Sequence, residues 1–168
     1  MQQGLAMALP DRDIPASVLE NLRDQHYWTD IQVHTESPND PSKPLPRTMI
    51  SGLPPKRLYI HPDEQIEAID IERETGAQPE DAKEPEYEWV LPVHLSEEWS
   101  IAKFAAVFDS IDAIPPRPSR DDASELGPSG KDWRGADRKK RLTMAIVHDD
   151  STVSYYIVHD GIVKPRQN

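Results

Sequence analysis

Seventeen prolines in a chain of 168 residues decide where regular structure can form. Proline has no N–H to donate and a fixed φ, so it is excluded from helix interiors and from the middle of a sheet ladder. The prolines cluster at Pro38, Pro41, Pro44 and Pro46, at Pro54 and Pro55, and at Pro115, Pro116 and Pro118. These clusters cut the chain into short blocks. Residues 72–86 and 115–137 carry almost no aliphatic side chains and read as solvated loops. Leu, Ile, Val and Phe together make up about a fifth of the chain, close to the level below which a charged chain stays disordered. The apolar residues must therefore gather in the blocks. The length fits one domain over residues 1–168, with flexible segments near 1–13, 36–46, 72–86 and 115–137.

Charge removes several classes of function. The net charge is −11, which disfavours autonomous nucleic-acid binding because that needs a basic face to release counterions. The acid is concentrated before residue 101, and residues 101–168 are close to neutral. There are no cysteines, so disulfide scaffolds and thiolate zinc sites are excluded and a reduced compartment, cytosol or nucleus, is expected. No apolar run reaches the length of a membrane span. Residues 1–10 lack the basic start of a signal peptide, and none is expected.

Periodicity assigns the blocks. Residues 16–25 place Val18, Leu19 and Leu22 on one helical face. Residues 29–35 alternate, with Ile31 and Val33 on one side of a strand. Residues 47–53 and 56–60 read as strand segments, and Pro62 is placed to start a helix through Ile71. His61, just before it, reads as a cap or turn residue. Residues 87–94 form a strand in which Pro92 marks an edge or bulge. Residues 98–114 predict the strongest helix, with Ser100 as N-cap and Trp99 and Phe104 as a hydrophobic staple. Its buried stripe is Ile101, Phe104, Ala105, Phe108 and Ile111. Residues 142–147 are apolar on both faces and predict a central strand. A turn at 148–151 leads to a return strand over 152–158, and Asp160-Gly161 leads to a short one at Ile162 and Val163. The expected class is α/β, a mixed central sheet with packed helices.

The block from Leu142 to Gly161, the phrase Leu58-Tyr59-Ile60-His61-Pro62-Asp63-Glu64-Gln65, the run Trp89-Val90-Leu91-Pro92-Val93-His94-Leu95, Trp99-Ser100, and Phe104-Ala105-Ala106-Val107-Phe108-Asp109 resemble the Sen-fifteen family. That family is the small structural subunit of the eukaryotic, fungal-type tRNA-splicing endonuclease. The resemblance implies a restriction-endonuclease-like fold of the tRNA-intron endonuclease type and a nuclear location, with cytoplasmic or mitochondrial-surface variants in some fungi. It implies a non-catalytic subunit in a heterotetramer that excises introns from precursor tRNA. Its partners are the catalytic and structural subunits, with precursor tRNA reached through the complex. No cofactor and no metal are implied.

Catalytic relatives cleave RNA with Tyr, His and Lys. Such chemistry needs a base for the 2′-hydroxyl, an acid for the leaving oxygen and a cation at the phosphate. By the resemblance, the Lys position falls near Lys140. The His position falls at Glu84-Pro85-Glu86-Tyr87-Glu88, where this chain has no His. No Tyr is matched. The run Arg138-Lys139-Lys140-Arg141 reads either as a solvated lead-in to the strand or as an RNA contact. The rival reading is a metal-dependent nuclease in which Asp63 and Asp81 hold a divalent ion and Lys83 steadies the nucleophile. For assembly, the terminal hairpin offers a partner interface at Tyr155, Ile157, Ile162 and Val163, with Asp149 and Asp150 at its turn. An isolated chain would pair with itself through the same edge as a homodimer. Trp28, Trp89 and Trp99 are expected in the core, and Trp133, in a polar loop, as an interface anchor.

Overall fold

The computed structural model describes residues 13–38, 40–117 and 128–162, apart from the side chains of Glu80 and Asp81. The order is α1 (Ile14–Asp24), β1 (Thr29–Glu36), β2 (Pro44–Leu53), α2 (Pro62–Thr75), a one-turn 3-10 helix (Glu80–Lys83), β3 (Glu88–His94), α3 (Ile101–Ser110), β4 (Arg141–Val147) and β5 (Val153–His159). The five strands form one sheet in chain order, β1-β2-β3-β4-β5. All neighbours are antiparallel except β3 and β4, which run parallel with Val90 opposite Thr143 and His94 opposite Val147. This is the expected mixed α/β class. No helix of the described residues is long and apolar enough to cross a membrane.

The strand alternation feeds two cores. On one face Met49, Trp89, Leu91, Val93 and Leu142 meet Val107, Phe108 and Ile111 at α3. On the other, Ile50, Val90, Ala145 and Val147 meet Val18 and Leu22 of α1, with Trp28 beside them. Each helix starts on a cap. Asp13 accepts the Ala16 N–H, and the Ser100 hydroxyl accepts the Lys103 N–H at 3.2 Å. Trp99 lies against Phe104 with ring centroids 4.9 Å apart, which is the staple expected there.

Several expectations need correction. Ile101, assigned to the buried stripe, is 89% exposed, and Val107 takes the inward place with Phe104, Phe108 and Ile111. The helix stops at Ser110, short of Pro115. Residues 56–60 form no strand, because Arg57 turns inward to Glu64 and Glu86. The loop expected over 72–86 is helical to Thr75, ends on Gly76 at φ +79°, and finishes with a buried Glu86. Pro92 sits in a central strand buried along its whole length. Its carbonyl faces β2 and accepts from Arg47, beyond the last β2–β3 pair, Ile50 with Val90. Its missing N–H therefore falls where that ladder has already ended. No strand forms at Ile162, and Val163 lies outside the described residues.

Candidate functional site

β3 and β4 run parallel, so their first residues lie side by side at one end of the sheet. That end is charged. Arg141 donates to Glu88 at 2.6 Å and to Glu86 at 2.9 Å. Arg138 lies 3.3 Å from Glu88, and its Nη1 is 3.7 Å from Glu86 Oε1, an ion pair without hydrogen-bond geometry. Arg57 bridges Glu86 at 3.3 Å and Glu64 at 2.7 Å. The side chains of Glu86, Glu88, Arg138 and Arg141 are almost wholly buried. Burial pushes the Glu86 carboxyl up, but the guanidiniums of Arg138, Arg57 and Arg141 outweigh it and hold it below the ordinary carboxylate range. Burial lowers Arg138, whereas at Arg141 the carboxylates outweigh burial and the net shift is upward.

An open cavity of about 320 Å³ lies beside this network. Tyr59, His61, Trp133, Lys139, Arg141 and His159 are among the residues around it. His159 packs edge-on against Tyr59 at 4.6 Å, and the Arg141 guanidinium lies 5.2 Å from the Tyr59 ring. His61 stacks on Trp133 at 4.6 Å while its Nδ1 accepts the Asp63 N–H and caps α2. Trp133 also donates to Glu67 of α2 at 3.2 Å. Trp133, expected as an interface anchor, pins its loop to α2. The partners lie more than sixty positions away, so no local pattern reveals them.

The four basic residues before β4 separate. Arg138 and Arg141 are held in the buried network. Lys140 donates at 2.8 Å to the Phe108 carbonyl at the end of α3, which also accepts the Ile111 N–H. Lys139 alone of the four is exposed. The run is thus neither a solvated lead-in nor a continuous basic surface. Tyr59 completes the picture at the start of β3 and β4. Sequence reasoning missed it, since only the fold carries it next to Arg141 and, through Arg57, Glu86.

The residues of the rival metal reading are placed differently. Asp63 lies in the first turn of α2, and residues 81 and 83 lie in the one-turn 3-10 helix rather than on a strand. No group of three potential metal-ligating acids or histidines occurs among the described residues.

The hairpin residues divide by face. Met144 stands opposite Tyr156, so Tyr156 shares the α3 side, and Tyr155 and Ile157 share the α1 side. Tyr155 packs against α1, and its hydroxyl donates to Asn21 Oδ1 at 2.5 Å. Burial pushes that phenol well above its ordinary range. Tyr156 and Ile157 are 59% and 40% exposed, and Ile162 is fully exposed. Asp150 closes the turn by accepting from the Thr152 N–H and hydroxyl, and Asp149 lies 3.2 Å from His94 Nε2. The sheet's two edges differ. β5 pairs with β4 without interruption over seven residues. β1 has register shifts on both sides of its centre and a positive φ at Asp30. Such irregularities blunt an edge against strand addition, and β5 lacks them.

The family model described as Sen15 protein matches residues 17–168. The probable tRNA-splicing endonuclease subunit tsp-1 of Neurospora crassa is 52% identical over 151 residues, which is 90% of this chain and 64% of that protein. The probable tRNA-splicing endonuclease subunit sen15 of Schizosaccharomyces pombe is 37% identical over 82 residues, 48% of this chain and 50% of that protein. The matched stretch thus spans less than two thirds of either relative. The chain belongs to the Sen15 protein family.

Proposed function

We propose that this chain is a non-catalytic, structural subunit of a tRNA-splicing endonuclease, paired with a catalytic subunit for intron excision from precursor tRNA. The observation that carries this reading is the state of the groups at the positions where the resemblance implies the catalytic His and Lys. Metal-free RNA cleavage needs a titrating base and a cation free to meet a phosphate. Here Glu86 and Glu88 stand where the resemblance puts His, and Arg138 and Arg141 neutralise them. Lys140, near the Lys position that the resemblance implies, is tied to the Phe108 carbonyl. The names of both relatives support membership of the splicing enzyme. The parallel central pair with a helix on each face supports the restriction-endonuclease-like fold.

Docking through the uninterrupted β5 edge, with Tyr156 and Ile157 on its two faces, is part of the same proposal. Co-expression with a catalytic subunit tests it. Ile157→Asp combined with Tyr156→Asp abolishes co-purification while the circular dichroism spectrum of the isolated chain is unchanged. Normal co-purification of the folded double variant overturns the docking edge. Isolated chain self-associates through β5, and sedimentation giving a monomer at high concentration counts against this. Isolated chain leaves precursor tRNA intact with or without magnesium. Magnesium-dependent cleavage that vanishes in Asp81→Ala would favour the metal reading instead. A nuclear location belongs to the proposal, and imaging a tagged chain checks it.

A further inference from the structure

We propose that the cavity between the start of α2 and the end of β5 is a binding site for a phosphate group, formed by Lys139, His61, His159 and the buried Arg138. The cavity, about 320 Å³, has room for a phosphate and part of the group attached to it. The argument rests on which hydrogen-bonding groups around it are already occupied. Glu64 is held by Arg57 at 2.7 Å, and Asp137 accepts the Asp132 N–H at 2.7 Å, so two of its acids are turned to internal partners. Asp160 is the third acid on its rim. The groups left over are mostly donors. His61 accepts at Nδ1, so its neutral ring carries the proton on Nε2. Lys139 is exposed, and His159 makes a ring contact with Tyr59 rather than a described hydrogen bond. Arg138 borders the cavity with a side chain only 2% exposed, and its Nε donor has no acceptor among the described residues.

The local field agrees with this geometry. After burial, the charges that act on His159 and lower its pKa are Arg141 and His61, both basic groups. The ionised residues around the cavity are four cations, Arg57, Arg138, Lys139 and Arg141, and three acids, Glu64, Asp137 and Asp160, and a phosphate there receives a charge-assisted hydrogen bond from the exposed Lys139. The chemistry is shared by a free phosphate and by a phosphodiester of RNA. The RNA source rests on the function proposed above, whereas the phosphate site does not.

The experiment uses the full isolated chain and follows the imidazole NMR signals while inorganic phosphate, or a short oligouridylate, is added at constant ionic strength. Saturable movement of the His61 and His159 signals, with His34 and His94 unmoved, is expected. Lys139→Gln, at an exposed position, weakens binding about tenfold and lowers the salt dependence by about one counterion. Saturation by oligouridylate at lower concentration than by phosphate assigns the diester, and the reverse order assigns the free anion. Either order keeps the site. Absence of movement with both probes, or equal affinity in Lys139→Gln, overturns it. That failure would leave co-purification with a catalytic subunit untouched, so the two proposals fail separately.

Discussion

Glu88 is the residue on which the buried charges depend most. It meets both Arg138 and Arg141 from the first position of β3. A buried ion pair offers little net stability over an apolar replacement, but removing one partner strands the other in a dry site. Glu88→Gln is therefore expected to lower unfolding stability by about 3 kcal/mol or more in urea titrations. Replacing Glu88 and Arg141 together by apolar residues of similar volume recovers much of that loss, and a double-mutant cycle measures the coupling. Two histidines and Glu86 give a pH dependence of one sign on the acid side. His34 and His159 lie below the ordinary 6.5, mainly through burial, and Glu86 lies below 4.5. In each case the unfolded chain binds protons first, so stability is full above the unfolded value and lost as pH falls through the folded one. The urea midpoint should be flat between about pH 6.5 and the ordinary tyrosine value of 10.0, decline below 6.5, and fall again below about 4.5. A midpoint that rises on acidification would contradict these assignments.

Among the elements, β2 is the most tightly constrained. A Cβ at Gly52 would stand 3.1 Å from Trp28 Cε3 and 3.3 Å from both Ile31 Cγ1 and the Thr29 carbonyl. The nearest of these atoms belong to a core indole and to backbone, which yield little. Gly52→Ala should cost about 1 kcal/mol net, with the crowding exceeding the entropy gained by removing a glycine from a strand. Thermal unfolding checks this, and a stabilised variant would show that β1 can move away.

The same elements show what the sequence discloses. The Ser100 cap and the Trp99–Phe104 staple are local in the chain, and both were readable. The hydrophobic run 142–147 was readable as central because both of its faces are apolar. Glu86 looked solvated because no rule of spacing joins it to Arg138 and Arg141, more than fifty positions away. Ile101 fitted the helical period, yet it stands at the first turn, before α3 reaches the sheet. Of the candidate partner-facing residues of the hairpin, Ile157 and Ile162 are exposed. Tyr155 belongs to the α1 core, a contact with Asn21 that lies 134 positions away.

Across the whole molecule, charge and apolar surface are arranged to different ends. The negative excess lies before residue 101, while the exposed apolar side chains of β5 lie in the near-neutral remainder. A partner meeting that edge thus faces little of the self-repulsion that a net charge of −11 would otherwise impose on association. Raising salt should change the pairing affinity only slightly, and a steep salt dependence would point to a docking surface elsewhere.

The parallel register of β3 and β4 also governs how the molecule is made. β1 with β2, and β4 with β5, can assemble as hairpins from neighbouring segments, and β3 adds to β2 after the α2 connection. Joining them requires closing a loop between Glu88 and Arg141, which are 53 positions apart. Loop closure of that span carries an entropy cost before any contact rewards it, and non-local pairing of this kind slows folding. If the join forms in the transition state, Glu88→Gln slows refolding, whereas Gly52→Ala mainly speeds unfolding. Stopped-flow chevrons of the two variants separate these limbs. They would show that the charged end of the sheet serves as the clasp that brings its two halves together during folding.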